Sequence, residues 1–568
     1  MKINRSERNR VFVIFIIFFL WVIIIGASLV KIQVFDYNKN IAKVRAQSNR
    51  TFTMHPKRGT IYDSSGEVLA ISVKAKSAFL SNKDKKDSLQ LFNRILKLKK
   101  RFPLSKGDKK NIKNRIRKGD KFIWVKRKLS DKEYKLLKKI KATNKTHAIL
   151  DFVEEYKRIY PQSSTACHIL GGVGIDEQGL YGIEYGIDST IRGKDGEAEV
   201  VLDARHKIFN LQYLTEPAAG KDIHLTINLA AQFFVERELE KAIKKHKAKG
   251  GAVVILDVSD GAIIAAASYP NYHPGNIKWS SNDRKRNRAI SFLYHPGSTF
   301  KIISAATALE SRVCSPRQTF DCHNGVYQVK DQVITDVHPH DTLTFEKIIV
   351  YSSNIGAAKI GERLGRKRLY EGIKKFGFGT RVGLPLTGEE KGIFNPLNKW
   401  TGVSAAFHSY GYEIAVTPLQ MARAFNVIAS GGYLLEPHVV KKIDGVFLKP
   451  KKRQKILSPS TVRQMAAIMM EVVNRGTGKA TRIKGIQIAG KTGTTKKIGK
   501  SKGKYVSSFG GFFPANKPAI TMFVMVDEPI GLYYGADVAA PLFKAIAKKM
   551  MIYLNIIPGL DKKNEIRL

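Results

Sequence analysis

The sequence is poor in cysteine, in acidic residues and in long apolar runs, and each shortage excludes something. Only three cysteines, Cys167, Cys314 and Cys322, occur in 568 residues, so no disulfide framework organises the fold, although Cys314 and Cys322 could pair. Metal chemistry is equally thin. Cys322 and His323, with Cys314, His338 and His340 nearby, match no strong zinc template, and no metal is expected. Asp and Glu number 48 against 97 Lys and Arg, a net charge of +49, which raises nucleic acid as a partner. The bases are spread along the chain, densest from Lys83 to Lys145, with no zinc-finger, RNP or helix-turn-helix pattern beside them. Solvated faces account for them. For a body outside a membrane the charge partners are anionic lipid head groups and anionic envelope polymers, and nucleic acid is not expected.

Long uncharged runs are missing everywhere but in one place. Val11 to Val30, "VFVIFIIFFLWVIIIGASLV", continues for about twenty residues without a charge, the length of a bilayer-spanning helix. A cleaved signal peptide would have a shorter apolar region, so a membrane anchor is expected. Lys2, Arg5, Arg8 and Arg10 precede the span, and Lys31, Lys39, Lys43 and Arg45 follow it, so the positive-inside rule leaves the orientation open. The whole chain is 43% hydrophobic and long enough for several domains.

After the span, "PKRGTIYDSSGEVLA" alternates like strands around an "SSG" turn. The lysine-rich stretch from about 75 to 150 mixes helix and strand, and "HILGGVGIDEQGLYGIEYGID" has the glycine density of loops and bends. Near Gly220 the texture changes. "IHLTINLAAQFFVERELEKAIKKH" predicts a strand and an amphipathic helix, and "GAVVILDVSDGAIIAAASYP" predicts a hairpin turning at "DG". From there to about 555 helices and strands mix until a long terminal helix, which makes a second domain.

Three short elements carry chemistry. In "YHPGSTFKIISAATALE", Ser298 opens a helix and Lys301 follows one turn later on the same face, close enough to take the serine proton once burial lowers its pKa. The helix start also brings N–H groups to a developing oxyanion. Alone, S-x-x-K is equally an N-cap serine with a solvated lysine. In "YSSNIGAAKI", Ser352 and Asn354 precede another helix. The hydroxyl can relay a proton, and the amide can hold Lys301 and bind a substrate backbone.

The third element, "GIQIAGKTGTT", fits two patterns. From Gly485 to Thr492 it matches the phosphate loop of nucleotide hydrolases, and Asp257 after "AVVIL" imitates the magnesium-binding Asp of such enzymes. Yet Ile486 to Ala489 alternates like a strand, no helix-forming segment follows, and Asp257 lies on the wrong side of the loop. The nucleotide reading is rejected. As a strand edge the segment can dock an extended peptide. Lys491 then supplies positive charge, Thr492 and Thr494 offer hydroxyls to a carboxylate, and Gly493 leaves room for close approach of substrate. As an exposed strand lysine, Lys491 is expected to contribute little to the core.

Serine with lysine, S-x-N and K-T-G, in this order, are the active-site set of penicillin-binding proteins and serine β-lactamases. The chain resembles a class B penicillin-binding protein, most closely the septal type of bacterial cell division. "RGTIYD", "RIYPQ", "GLYGIEYGID", "HPGSTFK", "GYEIAVTPLQMARAFNVIASGG" and "DEPIGLYYGADVAAPLF" resemble that family's blocks in its order. There are departures: His295 replaces a usual Glu, Asp63 is followed by Ser-Ser, and Ala536 replaces a usual Gly.

The resemblance implies an α+β fold. It comprises a cytoplasmic tail (1–10), a transmembrane helix (11–33) and an elongated non-catalytic pedestal of the dimerisation type (36–220). A transpeptidase domain (221–555), an antiparallel sheet flanked by helices, and a C-terminal tail (556–568) complete it. It also implies a single-pass protein of the bacterial cytoplasmic membrane with its catalytic domain on the periplasmic side. Ser298 is then the nucleophile and Lys301 its base, with Ser352 and Asn354 beside them and Lys491, Thr492, Gly493 and Thr494 binding substrate. The N–H groups of Ser298 and Thr494 form the oxyanion hole.

The implied substrates are peptidoglycan stem peptides, a D-Ala-D-Ala donor and an amine acceptor. β-Lactams are the implied inhibitors. A polytopic glycosyltransferase and other division proteins are the implied partners, and no cofactor is implied. Other readings are an elongation-type transpeptidase, a membrane-bound β-lactam sensor, a β-lactamase and an inactive division scaffold. A sensor would add a signalling domain, and a class A-like β-lactamase would carry E-x-x-L-N where residues 395–398 read "NPLN". Intact motifs oppose an idle scaffold.

Overall fold

In a computed structural model of the chain, residues 5–39, 49–82, 84–144, 149–202, 208–449, 453–497 and 503–556 are described. Several expected features lie outside them. These are residues 1–4 of the leading tail, Lys43 and Arg45 beside the span, and the ends Lys83 and Lys145 of the basic stretch. Residues 498–502 after the K-T-G element and 557–568 of the terminal tail do so as well. The chain forms two compact units, Met1–Pro56 with Gly193–Ala219, and Lys57–Arg192 with Gly220–Leu568.

The first unit contains the apolar run as a helix, Arg5–Val30. With the π-helical turn Lys31–Phe35 that continues it, the stretch Arg8–Phe35 is 28 residues long with every side chain exposed, and an 18-residue window of it reaches mean hydropathy 3.1, long and apolar enough to cross a membrane. The same unit holds a three-stranded antiparallel sheet in which Asn49–Met54 pairs with Gly196–Leu202, and that strand with Ile208–Thr215.

In the second unit the predicted "SSG" turn joins Ile61–Tyr62 to Val68–Ser81. Asp63 holds it, its Oδ1 accepting from the N–H groups of Ser65 (2.7 Å) and Glu67 (2.8 Å), an Asx turn completed by Gly66 at φ +98°. Its Oδ2 accepts from Leu229 N–H at 2.9 Å. The turn is thereby tied to the helix Leu229–Lys245, whose own cap is Asn228. Three sequence blocks meet around one carboxylate. Glu184 accepts from Arg58 Nε (2.6 Å), Arg158 Nε (2.7 Å) and Tyr160 OH (3.3 Å), all buried, so each charge has its partner out of water.

A five-stranded antiparallel sheet carries the site. Its spatial order is Ile263–Tyr269, Gly250–Asp257, Ile520–Asp527, Tyr505–Phe513 and Ala489–Lys496. Alternation sorts its side chains. Val253, Ile255, Met522 and Val524 face the helices Leu229–Lys245 and Ala539–Tyr553, while Ala252, Val254, Leu256, Phe523 and Met525 face an inner helical layer. Both faces are covered, which explains why these strands read as continuous apolar runs. The inner layer includes Lys301–Glu310, Asn354–Lys375, Pro418–Ala429 and Pro459–Asn474. Asp257 ends the first strand of the predicted hairpin, its Oδ1 accepting from Ser259 N–H at 2.7 Å.

Candidate active site

Ser298 lies in a single 3₁₀ turn, Gly297–Phe300, that runs directly into the helix Lys301–Glu310. Gly297, Thr299 and Phe300 are buried, and Ser298 alone of that turn keeps partial exposure. Backbone packing sets this position. Gly297 takes φ +53°, and its N–H donates to Gly411 O at 3.2 Å. A Cβ on Gly411, itself at φ +87°, would lie 2.4 Å from Gly297 O, so only glycine permits the approach.

One turn on, Lys301 is fully buried. Its Nζ donates to Ser352 O (2.6 Å), Asn354 Oδ1 (2.8 Å) and Ser352 Oγ (3.3 Å). Burial pushes its pKa down to about 7, against a smaller opposing pull from the Asp336 carboxylate. Ser352 reaches it from a left-handed conformation, φ +65°, uncommon for a residue with a side chain and a signature of functional sites.

Asp336 went unnoticed in the sequence. It follows the hairpin of Val326–Val329 and Gln332–Thr335 and accepts from Ser353 Oγ (2.5 Å), Asn354 N–H (2.5 Å) and Ile355 N–H (3.1 Å). Ser353 caps the helix Asn354–Lys375 by accepting from Gly356 N–H at 2.9 Å. Asn354 Nδ2 donates to Thr335 O at 2.9 Å, which turns its Oδ1 toward Lys301. The hairpin therefore fixes both faces of the S-x-N turn. Its only sequence signal was a polar "KD" turn between alternating residues.

The K-T-G element is a strand, Ala489–Lys496, at the edge of the sheet, so one side has no strand neighbour. It pairs with Tyr505–Phe513 where a phosphate loop would turn into a helix. Lys491 departs from expectation because it is fully buried. The strand directs it inward opposite Gly510, and its Nζ donates to Ser352 Oγ at 2.8 Å and Thr492 O at 3.3 Å. Burial first, then the nearby Lys301 charge, holds its pKa well below the ordinary lysine value.

The room left by Gly493 is filled by protein. A Cβ there would lie 2.6 Å from Ser508 Oγ and 2.8 Å from Thr299 Cγ2, beside the serine turn. Thr492 and Thr494 point to the other side of the strand. Thr492 Oγ1 lies 2.6 Å from Thr477 Oγ1, and Thr494 Oγ1 accepts from Gly535 N–H at 2.8 Å. Gly535 is a second residue missed, since a Cβ there would sit 2.4 Å from Gly493 O.

Lys301, Ser352, Asn354 and Lys491 are thus joined by hydrogen bonds, with Ser352 Oγ accepting from both buried lysines, and Gly493 abuts Thr299 of the serine turn. The cysteine–histidine group is not brought together. Cys314 and Cys322 are free and buried, His323 stacks on Tyr327 and His340 on Tyr351. Among the described residues no three His, Cys, Asp or Glu gather as a metal site. His295 Nδ1 lies 2.7 Å from Ile414 O, and its ring stacks on Tyr412.

The family model of the penicillin binding protein transpeptidase domain matches residues 251–548, and that of the penicillin-binding protein dimerisation domain matches residues 53–225. The chain is 31% identical over 520 residues to a probable peptidoglycan D,D-transpeptidase, PenA, of Neisseria meningitidis, covering 90% of this chain and 86% of that one. It is 30% identical over 534 residues to peptidoglycan D,D-transpeptidase FtsI of Escherichia coli K12, covering 93% and 89%. A chain in a solved peptidoglycan synthase complex that coordinates polymerization and crosslinking superposes with TM-score 0.70 at 23% identity, covering 97% and 99%, a likeness of fold.

Proposed function

This chain belongs to the class B penicillin-binding proteins, and from that membership we propose how its residues carry out a peptidoglycan D,D-transpeptidase reaction and where they do so. The enzyme is a serine-type D-Ala-D-Ala transpeptidase, covalently inhibited by β-lactams. Ser298 Oγ attacks the carbonyl of the penultimate D-Ala in a donor stem peptide, and its proton passes to neutral Lys301 Nζ. The oxyanion is held by the N–H groups of Ser298 and Thr494. As the C–N bond breaks, the proton travels through Ser352 to the leaving D-Ala amine, which leaves an ester on Ser298. The amine of a second stem peptide attacks that ester, gives up a proton by the same route and regenerates the serine. Asn354 orients Lys301 and the donor backbone, while Lys491, through Ser352, and the hydroxyls of Thr492 and Thr494 bind the donor carboxylate.

One observation carries these assignments: a fully buried ammonium with a pKa of about 7, one turn after a partly exposed serine and bonded to both residues of S-x-N. A base must be neutral to accept a proton and must regain one near working pH, and that value serves both.

The functional division proposed is a tail (1–10), an anchor (11–33), a pedestal (36–220), a transpeptidase domain (221–555) and a terminal tail (556–568). The two family matches support it. The chain is a single-pass membrane protein, and we place the catalytic domain on its periplasmic side, where stem peptides are. A septal role, with a polytopic glycosyltransferase and division proteins as partners, is supported by the similarity to FtsI and by the fold shared with a synthase complex.

The test is turnover. The purified chain, supplied with lipid-linked substrate and a glycosyltransferase, should yield cross-linked muropeptides that penicillin abolishes. Glycan strands without cross-links would refute the assignment.

A further inference from the structure

The positive charge is not evenly distributed. Residues 84–144 hold 23 Lys and Arg against 6 Asp and Glu, a net +17 in 61 residues, when the whole chain of 568 carries +49. This segment folds as three helices, Lys85–Leu96, Lys106–Lys118 and Asp131–Ala142, on one face of the strands Val68–Ser81, Phe122–Lys126 and Ile149–Ile159. Their shared core includes Phe92, Ile112, Ile116, Leu137 and Ile123, so the opposite faces of the helices look outward together.

Those outward faces are basic and little compensated. Among the described residues, only Arg115, Lys126, Arg127, Lys128 and Lys141 of the 23 form ion pairs. On Lys106–Lys118, the residues Lys106, Lys110, Lys113 and Arg117 follow a spacing of four, three and four, one continuous row about 16 Å long. Lys132, Lys135 and Lys139 form a second row on Asp131–Ala142. Like charges at these spacings repel and destabilise a helix, and an anion lying along the row would relieve that.

The surface also lacks what other anionic partners require. No large apolar side chain is exposed among the described residues of 84–144. Interfacial membrane helices present Trp, Phe or Leu to the acyl boundary, and single-stranded nucleic acid is held on exposed aromatic platforms. Charge alone is offered here, in rows along two helices that a flexible chain can follow. We propose that this face of the pedestal binds a flexible, phosphate-bearing polyanion, of the kind an anionic envelope polymer supplies. The site is independent of the serine chemistry.

The probe is long-chain inorganic polyphosphate, titrated against the full chain in neutral detergent over a range of salt. Binding should weaken linearly with log salt, the signature of counterion release. Replacing Lys106, Lys110, Lys113 and Arg117 together by Gln should lower that slope by about 3 and weaken binding more than about tenfold near 100 mM salt. Penicillin acylation should be unchanged, which also reports that the variant is folded. If that variant does not fold, Lys132, Lys135 and Lys139 replaced by Gln should lower the slope by about 2. No binding at about 50 mM salt, a slope indifferent to both sets, or binding to phosphatidylglycerol vesicles without binding to polyphosphate would overturn the proposal.

Discussion

Two lysines share one hydroxyl. Ser352 Oγ accepts from Lys301 Nζ at 3.3 Å and from Lys491 Nζ at 2.8 Å, and both ammonium groups are fully buried. Burial disfavours the charged form of each, and the Lys301 charge further disfavours charge on Lys491. Because Lys301 sits at about 7, acylation by penicillin should rise as pH increases through that value and then level, since deprotonation creates the base. Stopped-flow acylation rates across pH measure it, and a flat profile would remove Lys301 as the base. Lys301→Arg should lose acylation at any accessible pH, because a guanidinium does not surrender its proton.

Lys491 separates two properties. As a buried cation it is costly to the fold, so Lys491→Met, of similar length and uncharged, should leave Tm unchanged or raised. The same change should slow acylation by about a hundredfold or more through loss of a charge-assisted contact. Thermal melts and acylation kinetics on one preparation test both. A large fall in Tm would mean that the lysine is held there for stability.

At the scale of elements, the Val326–Thr335 hairpin and the helix Asn354–Lys375 meet at Asp336, which satisfies the first helical N–H groups and acts on Lys301 by charge. Asp336→Asn should lower the maximal acylation rate by about tenfold through a loosened S-x-N turn. Its carboxylate opposes the fall in the Lys301 pKa, so its removal should also move the acid limb of the pH profile to lower pH. A limb that stays in place or moves upward would contradict that coupling.

The elements themselves were largely legible. Leu229–Lys245 follows from its amphipathic period and the Gly250–Tyr269 hairpin from "DG", whereas the K-T-G strand begins only at Ala489, so Ile486 to Ile488, whose alternation announced a strand, lie just before it. The burial of Lys491 was not legible, because it depends on Ser352, 139 residues away, and on which face the edge strand turns inward. Asp336 was hidden for the same reason, since nothing local in "ITDVHPH" announces a partner in Ser353. Gly493 was read as room for substrate, and packing gives that room to Thr299 and Ser508.

For the whole molecule, one apolar helix and a strongly basic body leave the membrane side to experiment, because charges flank the span on both sides. Protease added to intact spheroplasts should degrade the chain beyond about residue 35, the length that one span and its flank consume. Protection until lysis would contradict the proposed topology. Residues 57–192 fall in one compact unit with 220–568, which holds the site, whereas residues 36–56 and 193–219 of the proposed pedestal belong to the other unit.

The central claim is that Ser298 forms the acyl-enzyme. Mass spectrometry of the penicillin-treated chain, with peptide mapping, tests it most directly. The account predicts one adduct, on the peptide containing Ser298, absent from a Ser298→Ala variant that melts like the parent. An adduct on any other residue, or undiminished labelling of that variant, would contradict it.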